Sequence, residues 1–280
     1  MQMQRILCPV DFSDLSALAL RHAGLLVRCS GAKLTVAFAN TFSAPPYFTG
    51  SDVADLEQQF RASFRAAELA LRDFVQKELG TDAAGVEVLV VEGLPADGIR
   101  RLARDTKPDL IVMGTHGRSG VNRFLLGSVA ERVLRESEVP VLTVRGDTAQ
   151  PTVPPKRILC PVNDTPAARA ALSAAADLAA CFGAEVLALH VKEKGGAPAE
   201  EGICATAAAE VRERCNVREL TREGEPATEI IALARQTQCD LLVIGAQHKR
   251  FFDTTVLGST TARVVRHAPC PVLTVNAPAD

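Results

Sequence analysis

A glycine-rich stretch in the first half of the chain has the residue types and the spacing of an anion-binding loop. Gly114 is followed after two residues by Gly117, and after nine more by the pair Gly127 and Ser128. Glycine lets backbone N–H groups approach a ligand closely, and a loop of exposed N–H groups forms a concave site for phosphate oxygens. Arg118 adds positive charge to the same loop. The spacing therefore suits a phosphate group.

A strand before this loop and a helix after it must hold it in place. The apolar run LIVM at 110–113 predicts a buried parallel strand, and Ser128 begins a helical pattern. The helix would add unpaired N–H groups and the positive end of its dipole. An ordinary strand-to-helix turn, with Ser128 only as an N-cap, explains the spacing equally well. The pattern is neither GxxxxGK[ST] nor a GxGxxG after the first strand.

The chain contains an internal repeat. RILCPVDFS, starting at Arg5, returns as RILCPVNDT from Arg157, and Cys29 returns at the same offset as Cys181. We therefore expect two domains, 1–147 and 156–280, joined by a polar, proline-rich linker. Strand-like and helix-like segments alternate in each copy. This alternation predicts an α/β fold in which each copy is an open, five-stranded parallel sheet with helices on both faces.

Asp11 directly follows the predicted first strand. Ligands of open parallel sheets bind beyond the carboxyl ends of the strands, where the strand order reverses. A carboxylate at this place could accept hydrogen bonds from ribose hydroxyls. Alternatively, Asp11 only helps to cap the next helix, or Ser13 caps it while Asp11 faces water.

The glycine spacing resembles G-x2-G-x9-G-[ST], the signature of the ATP-binding branch of the universal stress proteins. GTHGRSG and PVLTV resemble the same family, and the resemblance covers nearly the whole chain, twice. It implies tandem Rossmann-like domains of the adenine nucleotide alpha-hydrolase-like kind. It also implies a stress-response or signalling protein that binds ATP, with ADP or AMP as alternatives and Mg as a possible companion. The nucleotide contacts that the resemblance implies are Pro9, Val10, Asp11, Ala39, Met113, Gly114, Gly117, Arg118, Gly127, Ser128 and Val129.

Single-domain members of that family pair through their last strands. By resemblance, the segments 141–144 and 272–275 are expected to pair within one chain as an internal pseudo-dimer. Such pairing also covers a sheet edge that would otherwise be exposed. Association of two chains into a homodimer is left open.

The second copy departs from the signature at two places. Asn163 stands where the first copy has an aspartate, and His248 stands where it has the second glycine; Gly245, Gly258 and Ser259 keep their spacing. If that glycine needs a positive φ, a histidine there costs roughly 1–3 kcal/mol or blocks the phosphate. We therefore expect ATP mainly in the first domain. Whether the second domain binds any ligand is left open.

Composition excludes several other classes of protein. The net charge is −2, which gives no reason to expect nucleic-acid binding. No apolar run approaches the ~20 residues of a membrane span, and the first residues lack the pattern of a signal peptide, so we expect a cytoplasmic protein without membrane association. The eight cysteines lack zinc-site spacing, and we expect most of them to be small buried hydrophobes. No metal site is predicted.

The sequence offers no residue set for fast catalysis. It has no P-loop lysine and no evident carboxylate pair for magnesium, which phosphoryl transfer requires. We therefore assign no catalytic residue and expect at most slow ATP hydrolysis. Two alternatives are a nucleotide-independent interaction module and, with less support, an adenylating enzyme. The SGGxDS loop of the adenylating families is absent, since DFSDLS follows the first strand.

Overall fold

The computed structural model describes residues 3–41, 53–116, 126–146, 153–192, 211–246, 248–251 and 254–277. Strands and helices alternate throughout the first half, as predicted, and in most of the described part of the second half. The first half contains β1 (Arg5–Val10), α1 (Asp14–Ser30), β2 (Lys33–Asn40), α2 (Val53–Leu79), β3 (Glu87–Glu92), α3 (Pro95–Thr106), β4 (Leu110–Gly114), α4 (Ser128–Glu136) and β5 (Val141–Val144). The second half contains β6 (Arg157–Val162), α5 (Pro166–Phe182), β7 (Glu185–Lys192), β8 (Asn216–Glu223), α6 (Pro226–Thr237), β9 (Leu241–Ala246), β10 (His248–Phe251), β11 (Thr254–Leu257), α7 (Ser259–His267) and β12 (Val272–Asn276).

Each half forms a five-stranded parallel sheet, which confirms the predicted fold class. The strand order is β3-β2-β1-β4-β5 in the first half and β12-β9-β6-β7-β8 in the second. β5 and β12 pair antiparallel, with Leu142 opposite Leu273, and so join the two sheets into one of ten strands. Thr143 Oγ1 donates to the Val272 carbonyl, and Thr274 Oγ1 donates to the Val141 carbonyl, both at 3.1 Å. The expected pairing of the two last strands within one chain is therefore confirmed.

Alternation along the strands divides the apolar core between the two faces of the sheet. In β1, the side chains of Ile6 and Cys8 pack on one face, while Leu7 packs on the other. Helices α1, α2 and α5 cover the first face, and helices α3, α4, α6 and α7 cover the second. Each large apolar side chain that is fully buried in these layers stabilises the fold by roughly 1.5–3 kcal/mol. None of the helices in the described ranges combines the length and apolar composition that a membrane crossing requires.

Equivalent helices in the two halves begin and end in the same way. The Ser13 hydroxyl accepts from the Ser16 N–H at the start of α1, and the Thr165 hydroxyl accepts from the Ala168 N–H at the start of α5, both at 3.2 Å. Each helix ends at a glycine in the left-handed conformation, Gly31 or Gly183. These capping signals fix both helices against the ends of the first strand in each half.

The second half contains a β-hairpin that the sequence analysis does not predict. Strands β10 and β11 pair antiparallel between β9 and α7, with His248 opposite Leu257. This segment of the second copy contains several β-branched and aromatic residues, which favour strands. The prediction for this segment rests only on the spacing of its glycines, and that spacing carries no information about the strand preference of the residues between them. The corresponding segment of the first half, 117–125, lies outside the described residues.

The cysteines are of two kinds. Cys29 and Cys181 form a disulfide between the two halves, so they are exceptions to the expectation that most cysteines are small buried hydrophobes. It is right for Cys8 and Cys160, both of which are fully buried. Burial also raises the pKa of the Cys8 thiol far above its usual value.

Close packing between strand and helix explains the glycine near the end of β9. A Cβ added to Gly245 would lie 2.6 Å from the carbonyl carbon of Ala167 and 2.7 Å from the backbone nitrogen of Ala168. These backbone atoms belong to the first turn of α5 and cannot move without displacing the helix.

We predict that Gly245→Ala destabilises the protein by about 1–3 kcal/mol, because the added methyl group overpacks the contact between β9 and α5. Urea denaturation followed by circular dichroism measures this loss. The matched control is Gly146→Ala, because a Cβ at Gly146 would meet no atom within 4 Å. Equal stability of the two variants would contradict the packing argument.

Candidate functional site

The strand order of the first half reverses between β1 and β4. β1 pairs with β2 on one side and with β4 on the other, and the chain continues outward from each. Such a reversal leaves a crevice beyond the carboxyl ends of the two strands. Pro9 and Val10 end β1, and Met113 and Gly114 end β4, so four of the predicted nucleotide contacts flank this crevice. Ala39 lies near the end of the neighbouring strand β2.

The start of α4 is held at the end of β4 by backbone hydrogen bonds. The Thr115 N–H donates to the Val144 carbonyl at 2.9 Å, and the Gly127 N–H donates to the Thr115 carbonyl at 2.7 Å. Gly127 is the N-cap of α4 and supplies no side-chain hydrogen bond, while Ser128 is the first helical residue. The alternative in which Ser128 is an ordinary N-cap is therefore wrong. Because Gly127 has no side chain, the first N–H groups of α4 receive no hydrogen bond from the side chain of their N-cap residue.

Gly114 and Gly127 are also required by the packing of the chain itself. A Cβ at Gly114 would lie 2.9 Å from Leu15 Cγ of α1, and a Cβ at Gly127 would lie 2.9 Å from the Thr115 carbonyl oxygen. Neither glycine has a positive φ. Close approach of chain segments thus accounts for both, whether or not a ligand also approaches them.

Asp11 and its counterpart Asn163 make the same local turn. Asp11 Oδ1 accepts from the Ser13 N–H at 3.1 Å and from the Ser13 hydroxyl at 2.5 Å. Asn163 Oδ1 accepts from the Thr165 N–H at 3.3 Å and from the Thr165 hydroxyl at 2.7 Å. Each side chain supports the residue that caps the following helix. Asp11 therefore helps to cap α1 through Ser13, as the capping alternative predicts, and an amide oxygen can fill this role as well as a carboxylate.

Phe12 is a feature of the first site that the sequence analysis misses. Its φ is +62°, which is rare for a residue with a large side chain and is found at functional turns. The Phe12 ring packs against the rings of Phe38 and Phe74, with centroid distances of 4.7 and 5.3 Å. These contacts hold the turn that carries Asp11. The second copy has Asp164 at this position, so comparing the repeats could have singled Phe12 out.

His116 brings no positive charge to the first site. Its Nδ1 lies 3.0 Å from the Thr115 hydroxyl, and its Nε2 is buried without a hydrogen-bond partner in the part of the chain that the structure describes. Burial, together with the positive charge of Arg145, lowers the pKa of His116. The imidazole is therefore neutral at pH 7. Gly117 and Arg118, the predicted glycine and cation of the loop, lie outside the described residues.

Ion pairs across the second face of the sheet align the helices that begin at the two crevices. Arg132 of α4 contacts Asp97 of α3 at 2.8 Å, and Arg263 of α7 contacts Glu225, the N-cap of α6, at the same distance. These side chains are partly exposed, so each pair contributes little to stability.

Val129, the last of the predicted contacts, follows Ser128 in the first turn of α4 and is half-buried.

The second half has a cavity at the equivalent position. It lies between the ends of β6 and β9 and the start of α7, and its volume is about 460 Å³, within the range of small-molecule sites. Asn163, Gly245, Gly258 and Ser259 line it together with apolar side chains and threonine hydroxyls. Gly258 caps α7 without a side-chain hydrogen bond, as Gly127 caps α4. Of the described groups, none forms a cluster of three potential metal ligands in either half.

Comparison with known proteins agrees with this geometry. The sequence profile of the universal stress protein family matches residues 3–145 and, again, residues 154–276. The chain belongs to the universal stress protein family. Universal stress protein MJ0577 of Methanocaldococcus jannaschii is 28% identical over 153 residues, which cover 51% of this chain and 94% of that protein. A universal stress protein of Thermus aquaticus is 33% identical over 144 residues, covering 50% of this chain and 97% of its own.

A solved universal stress protein has the fold of the whole chain. The crystal structure of the protein from Archaeoglobus fulgidus superimposes with a TM-score of 0.79 at 24% identity, and the match covers 99% of this chain and 100% of the other. At this level of identity the likeness shows the shared fold. Both halves of this universal stress protein thus belong to the architecture seen there.

We predict that Ser13→Ala destabilises the protein by about 1 kcal/mol, because α1 loses its side-chain cap. Asp11→Asn should cost about 0.5 kcal/mol or less, because Asn163 makes the same turn in the second half. Urea denaturation of both variants measures the difference. A loss for Asp11→Asn as large as that for Ser13→Ala would show that the turn needs the carboxylate.

Proposed function

We propose that this protein binds an adenine nucleotide, chiefly ATP, in its first half and acts in stress response or signalling. The observation that carries the proposal is the start of α4, which has a glycine as its N-cap and which backbone hydrogen bonds hold at the end of β4 beside the end of β1. A helix N-terminus at the carboxyl edge of a parallel sheet favours a phosphate group.

The proposed pose uses the predicted contacts in distinct roles. The phosphates lie on the loop that runs from Gly114 to Ser128, with Gly117 and Arg118 as backbone and charged contacts. The nucleoside lies across the ends of β1 and β2. A carboxylate accepts several hydrogen bonds at once, so Asp11 can support its own turn and bind a ribose hydroxyl. Magnesium would accompany the phosphates.

We propose binding with slow or no hydrolysis. Fast phosphoryl transfer needs positioned cations and carboxylates that hold the metal. Asp11 is an acidic side chain at the crevice, but the sequence has no lysine in the P-loop position. A nucleotide that is bound and released without turnover biases conformation or choice of partner.

The second half is proposed to hold ATP weakly or not at all. The segment between β9 and α7 is a β-hairpin that begins at His248, and the side chain at the end of β6 is the uncharged Asn163. The cavity of this half remains large enough for a small ligand. We therefore propose one working nucleotide site per chain, in the domain 1–147, with 156–280 as the altered copy.

The exchange of one residue between the copies tests this proposal. Gly117→His gives the first half the residue that the second half has at the equivalent position. It should weaken ATP binding roughly 10-fold to 100-fold, because a histidine at this position strains the loop backbone or blocks the phosphate. Isothermal titration calorimetry with ATP and magnesium measures the change. The matched control is His248→Gly, which alters the other half and should leave the affinity of the first site unchanged.

Both variants should keep the far-ultraviolet circular dichroism spectrum of the parent protein. If Gly117→His binds ATP as tightly as the parent, the glycine does not explain the difference between the two halves. Absence of saturable ATP binding in the parent protein would favour the nucleotide-independent interaction module instead.

A further inference from the structure

Two residues of the first half lie directly against their own counterparts from the repeat. Leu142 of β5 faces Leu273 of β12 in the strand ladder. Cys29 of α1 is bonded to Cys181 of α5, with 5.8 Å between their Cα atoms. When two copies of a unit are related by a two-fold axis, only residues near that axis can contact their equivalents. The cysteine pair and the leucine pair therefore lie on the same pseudo-two-fold axis.

We propose that Cys29 and Cys181 form a reversible oxidative modification site that links the two halves covalently. Cys29 is half-buried and Cys181 is exposed, so a small oxidant and a reductant can reach the pair. Cys8 and Cys160 share the same offset in the repeat but are fully buried. The repeat therefore provides an accessible pair at the axis and an inaccessible pair within the core.

Hydrogen peroxide is the class of oxidant that suits an accessible thiol pair. One thiolate attacks the peroxide O–O bond and becomes a sulfenic acid, with release of one water after protonation. The second thiolate then attacks the sulfenic sulfur, forms the S–S bond and releases a second water. The two thiols lose two electrons, and the peroxide is reduced to two molecules of water. A dithiol reverses the step by thiol–disulfide exchange and is itself oxidised to a disulfide.

Matching positions on two helices bring the cysteines of the pair together. Cys29 and Cys181 are each the penultimate residue of a helix, and the helices α1 and α5 pack against each other. The bond therefore joins two helix ends that the fold already holds in contact.

The link changes how the two halves are held together. Without it, noncovalent contacts such as the ladder of β5 with β12 and the packing of α1 against α5 join them. The bond connects residues 152 positions apart, so it removes much of the freedom of the unfolded chain. Oxidation should therefore raise the melting temperature, by roughly 5 °C or more.

A protease site inserted in the linker at 147–152 makes the link visible directly. The reduced, full-length protein is treated with hydrogen peroxide, alkylated, cleaved at the linker and run on a denaturing gel without reductant. The oxidised parent should remain one species near 29.8 kDa, and dithiothreitol added before alkylation should give two separate halves. Cys29→Ser and Cys181→Ser should give two halves under both conditions.

The control is Cys215→Ser, which removes a free, half-buried thiol and should behave like the parent. The first half has only the cysteines Cys8 and Cys29, so a link that persists in Cys29→Ser would have to use Cys8 and would overturn the proposal. Separation of the halves in the oxidised parent would overturn it as well. A link that resists dithiothreitol in the folded protein would refute its reversibility.

Discussion

The antiparallel pairing of β5 with β12 is the contact on which the rest of the molecule depends. It joins two parallel sheets and covers the edge that each would otherwise expose. Because β5 and β12 run in opposite directions, the parallel strands of the two halves also run in opposite directions. The carboxyl ends of the strands in one half therefore point away from those in the other half. Helices α1 and α5 nevertheless cover the same face. The pairing thus places the two crevices far apart and brings the ends of α1 and α5 together.

The two halves share what the fold requires and differ where a ligand would bind. The turn at Asp11 and Asn163 is common to both, as are the glycines that let strand and helix approach closely, Gly114 and Gly245. The positive φ of Phe12 is confined to the first half. The second half has a hairpin that begins at His248. This division supports a nucleotide function that resides in one copy and a structural function that both retain.

Much of the fold follows from local patterns in the sequence. Alternation of strand-like and helix-like segments is sufficient to predict five parallel strands in each half, and Ser13 is recognisable from the sequence as a cap at the start of α1. The pairing of the last strands depends on contacts between residues that are distant in sequence. Its prediction therefore rests on the resemblance to a family and not on local patterns. The β-hairpin is missed because glycine spacing outweighs the strand preference of the residues around it.

The candidate site is only partly predictable, because some of its features depend on contacts between residues that are distant in sequence. The residue types predict an anion at the start of α4, but which residue caps that helix depends on the path of the chain before it. The disulfide joins residues that are distant in sequence. Its only signal is the recurrence of Cys29 as Cys181 in the repeat, which becomes informative once the pseudo-two-fold axis is known.

The number of nucleotides that each chain retains tests the central claim most directly. The purified protein would first be saturated with ATP, and the excess would be removed. The protein would then be denatured, and the released nucleotide would be identified and counted by ion-exchange chromatography. We predict one adenine nucleotide per chain, held by the first half. Two per chain would contradict the asymmetry between the halves, and none, with no saturable binding on titration, would contradict the nucleotide function itself.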